Sequence, residues 1–130
     1  MVAFPDQVTI DGTDVLLTPA AAQNFTLIVH ELITNALKYG ALSTASGKLV
    51  VKWGTEDGQL VFGWTEQGGP AVSAPIRQGF GHVILTDLAK GFGANVVSRY
   101  PSAGFQYRLT VELSAIAELG SEEPDASAAA

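Results

Sequence analysis

The stretch that decides how this chain folds is His30-Glu31-Leu32-Ile33-Thr34-Asn35-Ala36-Leu37-Lys38-Tyr39-Gly40. It closes a longer periodic segment. From Ala20 to Tyr39 the apolar residues at positions 25, 28, 29, 32, 33, 36 and 37 recur at spacings of three and four, which predicts an amphipathic helix. Thr18-Pro19 supplies an N-cap with proline at the first helical position, and Gly40 stops the helix. At about 100° per residue Asn35 lies about 40° from Glu31, and Lys38 about 20° to the other side. A carboxylate, an amide and an ammonium therefore share one narrow face.

That combination suits a hydrated Mg²⁺ bridging phosphates. The amide oxygen would bind the cation directly, the carboxylate through a water, and the lysine would meet phosphate charge. The same face also reads as the solvated side of an ordinary amphipathic helix. His30-Glu31 does not make a zinc-protease helix, because the second histidine that motif needs would fall at position 34, which is Thr34.

Working outward, Val8 to Leu17 alternates loosely around Asp11-Gly12 and predicts a short hairpin or paired strand. After the helix, a polar loop through Ser43, Thr44, Ser46 and Gly47 leads to the runs Lys48–Trp53 and Gln59–Trp64. Asp57-Gly58 between them predicts a hairpin. Trp64-Thr65-Glu66 ends the second run and enters Gly68-Gly69-Pro70. A carboxylate there can accept from the exocyclic amine of a flat ring, or can stand as a solvated glutamate at a hairpin exit; Trp64 reads as core or pocket wall. The stretch to Gln78 has no period and predicts a loop. Gly79-Phe80-Gly81 opens a helical pattern at Val83, Ile84, Leu85, Leu88 and Ala89, closed by Lys90-Gly91. It is no dinucleotide fingerprint, because the third glycine would fall at Ile84. It does precede a helix, where free N–H groups favour an anion, whereas Gly91-Phe92-Gly93 ends one. Strands over Asn95–Tyr100 and Phe105–Leu113 complete the order. A strand pair, a long helix, a hairpin, a loop, a short helix and a second hairpin predict an α+β fold: a two-layer sandwich, one sheet with helices on a single face. The domain is expected over residues 1–113. Residues 114–130 are expected to be a disordered acidic tail.

Composition narrows the function. The 130 residues carry 7 Lys+Arg against 13 Asp+Glu, a net charge of −6, with 47% hydrophobic and 15% charged residues. No apolar run exceeds four residues, far short of the roughly 20 that a spanning helix needs. The first basic residue is Lys38, so a basic export or transit signal is lacking and a cytoplasmic location is expected, with no membrane contact by this domain. Net acidity argues against nucleic acid. Yet Glu118, Glu122, Glu123 and Asp125 sit in the tail without a base, so the rest is near neutral.

Together these segments resemble one superfamily. The run His30–Gly40 is similar to the N box of the GHKL ATPases, the Bergerat ATP-binding fold shared by gyrase, MutL and histidine kinases. A histidine opening that box, the run Lys38-Tyr39-Gly40-Ala41-Leu42-Ser43 and a Trp-x-Glu at the G1 position resemble the HWE subfamily of bacterial sensor histidine kinases. The match continues through Gly68-Gly69-Pro70, Arg77, Gly79-Phe80-Gly81 and Gly104-Phe105, about residues 8–113.

The resemblance implies a mixed sheet covered by helices on one face, binding ATP and Mg²⁺. Asn35 would ligate the metal, with Glu31 as general base or reaching the metal through water, and Lys38 would serve catalysis. Lys38 and Tyr39 would line the phosphate and adenine sides. Glu66 stands where most of the superfamily has an adenine-recognising Asp, with Gly68 beside it. Arg77, Gly79, Phe80 and Gly81 would close over the phosphates. The loop after Glu66 is short for the family, and no helical hairpin with a phosphoacceptor histidine has a counterpart here. The implied protein is the catalytic domain of a two-component histidine kinase, monomeric in isolation. It would present the γ-phosphate to a histidine on a separate domain and work with a response regulator. A stand-alone serine kinase and anti-sigma factor of the same fold, or a degenerate module that docks a response regulator without ATP, are the alternatives.

Overall fold

Thr18 caps the long helix as its sequence requires: Oγ1 accepts from Ala21 N at 3.2 Å, and Pro19 fills the first turn. In the computed structural model, which describes residues 5–70 and 83–118, this helix is α1 (Pro19–Lys38). Its stripe buries Ala21, Ile28, Leu32 and Ala36 against one face of a five-stranded sheet. The strands are β1 (Val8–Gly12), β2 (Lys48–Glu56), β3 (Gln59–Gln67), β4 (Asn95–Arg99) and β5 (Gln106–Glu112). They lie in the order β1-β2-β3-β5-β4.

The sheet is mixed. β1 pairs parallel with β2, in register Val8 with Leu49 and Gly12 with Trp53, and every other pairing is antiparallel. A parallel pair needs a long crossover, which α1 provides. Val8 to Leu17 is therefore a paired strand and not a hairpin: Asp11-Gly12 ends the strand. Leu17 instead bridges Ala117 at the other end of the chain.

β3 runs through the middle and shows the two faces most clearly. Leu60, Phe62, Trp64 and Glu66 are buried under α1, while the alternate positions face outward. Phe62 meets Phe25 of α1 edge-on, with 6.2 Å between ring centroids, and Phe25 also touches Phe92. Each fully buried aliphatic side chain in this layer contributes about 1.5–3 kcal/mol. Trp53 Nε1 donates to Thr13 O at 2.7 Å and ties the β1–α1 connection to β2.

Two helical expectations change in detail. Val83–Leu88 winds as a π-helix before the short α2 (Ala89–Gly91), where an uninterrupted α-helical period was expected. The folded part also continues past 113: α3 (Leu113–Ile116) buries Ile116 completely, and Glu118 N donates to Leu16 O at 2.8 Å. Residues 114–118, read as the head of the tail, are thus held by the apolar Ile116. Residues 119–130 lie outside the described residues. Among the described residues no helix is long and apolar enough to cross a membrane.

Candidate functional site

Period two along β3 puts Glu66 on the same inward face as Trp64, and Glu66 is only 2% exposed. Each of its oxygens is engaged. Trp64 Nε1 donates to Oε2 at 2.8 Å, and Ala41 N donates to Oε1 at 3.1 Å. The solvated hairpin exit is thereby excluded. The methylene by which Glu exceeds Asp carries the carboxylate to the turn that follows α1. A carboxylate offers about four lone-pair sites, and these two bonds engage one on each oxygen.

That turn, Ala41–Ser43, is itself pinned from below. Gln7 Nε2 donates to Thr44 O and Gly47 O, both at 2.8 Å, and approaches Ala41 O at 3.5 Å. Gln7 is 3% exposed. Two glycines let the strands close in. A Cβ on Gly69 would stand 2.7 Å from the Gly40 carbonyl, and one on Gly104 (φ +149°) would collide with the Glu66 carbonyl. Glu66 N in turn donates to Phe105 O at 2.9 Å. The end of α1, the end of β3 and the turn before β5 thus meet in one knot around the Glu66 carboxylate.

The predicted helix face forms a gradient of burial. Asn35 is 6% exposed, Glu31 is half-buried, and Lys38 and Tyr39 are exposed. Asn35 Nδ2 is buried without a hydrogen-bond partner, an uncommon state for a donor whose desolvation costs about 1–3 kcal/mol. Among the described residues no cluster of three or more His, Cys, Asp or Glu side chains could cage a metal. The donor set is one amide with a carboxylate a turn away, which fits a cation that keeps waters and takes its other ligands from phosphate. Gly68 follows Glu66 in a turn, with its N–H donating to Ala103 O. Arg77, Gly79, Phe80 and Gly81 lie outside the described residues.

The π-helix that begins at Val83 is anchored by Tyr107, whose hydroxyl donates to Leu85 O at 2.7 Å. Burial pushes the Tyr107 phenol far above its ordinary pKa, so it stays a donor across the physiological range. Sequence reasoning missed Gln7, the Ala41 N–H, Gly104 and Tyr107 as parts of the site, and missed Trp64 as a donor. Only the last had a readable signal: residues two apart on a strand share a face, so Trp-x-Glu puts indole beside carboxylate.

No family model matches the chain. Blue-light-activated histidine kinase 1 of Erythrobacter litoralis is 35% identical over 112 residues, which cover 83% of this chain. This chain belongs to the catalytic domains of the HWE-type histidine kinases. It spans 31% of the length of that relative, and 19% of a blue-light-activated histidine kinase of Brucella anthropi, also 35% identical over 92 residues. The fold agrees. The Erythrobacter litoralis EL346 kinase superposes with a TM-score of 0.72 at 24% identity, over 83% of this kinase domain and 35% of that chain. Full-length ShkA superposes at 0.60 with 18% identity, over 85% and 26%.

Proposed function

We propose that this kinase domain binds Mg-ATP and presents the γ-phosphate to a histidine on a separate phosphoacceptor domain, from which a response regulator is charged. The observation that carries the reading is Asn35: a buried amide whose donor has no protein partner, on the motif helix beside the Glu66 knot. ShkA, a similar fold, was determined in complex with AMPPNP, which supports the reading.

Asn35 Oδ1 would ligate Mg²⁺ while Nδ2 meets a phosphate oxygen, and Glu31 would reach the metal's water shell or act as general base. The cation would supply charge neutralisation across the phosphates. Lys38 would add a mobile positive charge at the helix end. Glu66, held by Trp64 and Ala41, would accept from the adenine amine, with Tyr39 and Gly68 at the rim of the ring pocket. Arg77, Gly79, Phe80 and Gly81 would cover the phosphates. Phosphoryl transfer asks little covalent chemistry of a protein, so positioning and electrostatics account for most of the work.

The test is calorimetry with ATP in the presence and absence of Mg²⁺, followed by transfer to a supplied phosphoacceptor domain. Mg²⁺-dependent binding and an acid-labile, base-stable product are expected. A silent titration at millimolar Mg-ATP overturns the reading, and an acid-stable, base-labile product transfers it to serine.

A further inference from the structure

The sheet face away from α1 has no described element packed on it, and a groove of about 780 Å³ crosses it. Its middle is Gly63 of β3. Register places Lys52 of β2 opposite Gly63 on one side and Arg108 of β5 opposite it on the other. With strands about 4.8 Å apart, the two cations flank a side-chain-free strip at a backbone separation of roughly 10 Å. Arg99 of β4, opposite Gln106, stands diagonal to Arg108. Among the described residues, the side chains of Lys52, Arg99 and Arg108 have no ion pair or hydrogen bond. Glu56 lines the same groove, Asp11 of β1 stands opposite Lys52, and Glu112 shares the outward face of β5 with Arg108.

Nothing in the fold requires glycine at position 63. A Cβ there would meet only Lys52 O at 3.8 Å, an ordinary contact, and its φ is not positive. Glycine inside a central strand weakens it, and such a residue commonly marks a place where another backbone comes close. The near-empty strip is bounded by Lys52, Arg99 and Arg108, while the carboxylates of this face lie toward its edges, at Asp11 of the edge strand and in the Glu56–Gln59–Glu112 row at one end.

We propose that this face is a docking surface for an extended acidic segment of another polypeptide, lying over Gly63 with carboxylates directed to Lys52, Arg99 and Arg108. Spacing fits that occupant. Carboxylates two residues apart on an extended chain are roughly 6.6 Å apart, close to the roughly 7–8 Å of the diagonal Arg99–Arg108 pair. Val97, 46% exposed and opposite Arg108, offers apolar contact between the charges. The chain's own acidic tail is a poorer occupant. Residues 113–118 run to the helix-bearing side, where Ile116 enters the core and Glu118 bonds Leu16.

The test titrates the full chain with a synthetic peptide alternating glutamate and valine, reading backbone amide shifts, with a lysine–valine peptide as control. Shifts are expected on β2, β3, β4 and β5 with the glutamate peptide alone. Lys52→Glu with Arg108→Glu is expected to weaken binding at least about tenfold while ATP affinity is unchanged. Gly63→Val fills the strip with a good strand former, so it separates loss of docking from loss of folding: weakened peptide binding at an unlowered melting temperature supports the proposal. Equal response to both peptides, shifts on α1, or undiminished binding by these variants overturns it. If deleting residues 119–130 strengthens peptide binding tenfold, the tail is the occupant; if self-association is lost in the double variant, a second copy is. Either result overturns docking by another polypeptide.

Discussion

The two halves of the proposed nucleotide site differ in how their key polar side chain is held. On the base side, both Glu66 oxygens find partners within the protein, the Trp64 indole and the Ala41 amide, and the Gln7 amide nitrogen braces the turn behind them, although Gln7 Oε1 and Thr44 Oγ1 are buried there without a partner. On the phosphate side, Asn35 Nδ2 is buried with none. One half holds its carboxylate through protein partners, and the other would be completed by a ligand. Satisfied buried networks stabilise a fold, whereas an unsatisfied donor subtracts from it, so stability and affinity are lodged in different residues.

Substitutions can break that division. Glu66→Ala leaves two buried N–H groups without acceptors and opens a cavity, and is expected to destabilise folding by about 2–5 kcal/mol in denaturant titrations. Glu66→Gln, which retains one acceptor, is expected to lose about half of that. Asn35→Ala is expected to do the reverse: nucleotide affinity falls at least hundredfold, about 2.8 kcal/mol, while the melting temperature stays level or rises. A large drop in melting temperature for Asn35→Ala would erase the distinction between the halves. Gln7→Ala is the smallest and sharpest test. It touches no ligand, yet releases the turn that presents Ala41 N–H to Glu66. A stability loss of about 1–2 kcal/mol with a selective loss of ATP over GTP binding is expected. Loss of both nucleotides alike would place Gln7 outside the base side.

Much of this was legible from residues alone because it depends on local periodicity. Thr18-Pro19, the three-and-four spacing and Gly40 bound α1 to within a residue, and Asp57-Gly58 marked the β2–β3 turn. What escaped depends on partners distant in sequence. Asp11-Gly12 looks like a hairpin turn until β2 is found parallel to β1, and Glu66 looks solvated until Ala41 and Trp64 close on it. The π-helix at Val83–Leu88 escaped for another reason: its apolar residues fit an α-helical stripe, and the segment is held by partners distant in sequence, the core around Leu85 and the Tyr107 bond to Leu85 O. Gln7 had no signal, since a lone glutamine after a Pro-Asp turn belongs to no pattern.

The clasp on α1 bears on how the domain assembles. Its N-terminal end is held by the end of the described chain, through Thr18 N to Ile116 O and Glu118 N to Leu16 O. The turn beyond its C-terminal end is held by the beginning, through Gln7. The first closure joins residues about 100 apart and the second residues 37 and 40 apart; both demand loop entropy before they return contacts, which slows folding. Site geometry is therefore among the last things the folding chain acquires. Transient release of either terminus loosens the motif helix without melting the sheet, so hydrogen exchange should find α1's ends opening before β3 and β5.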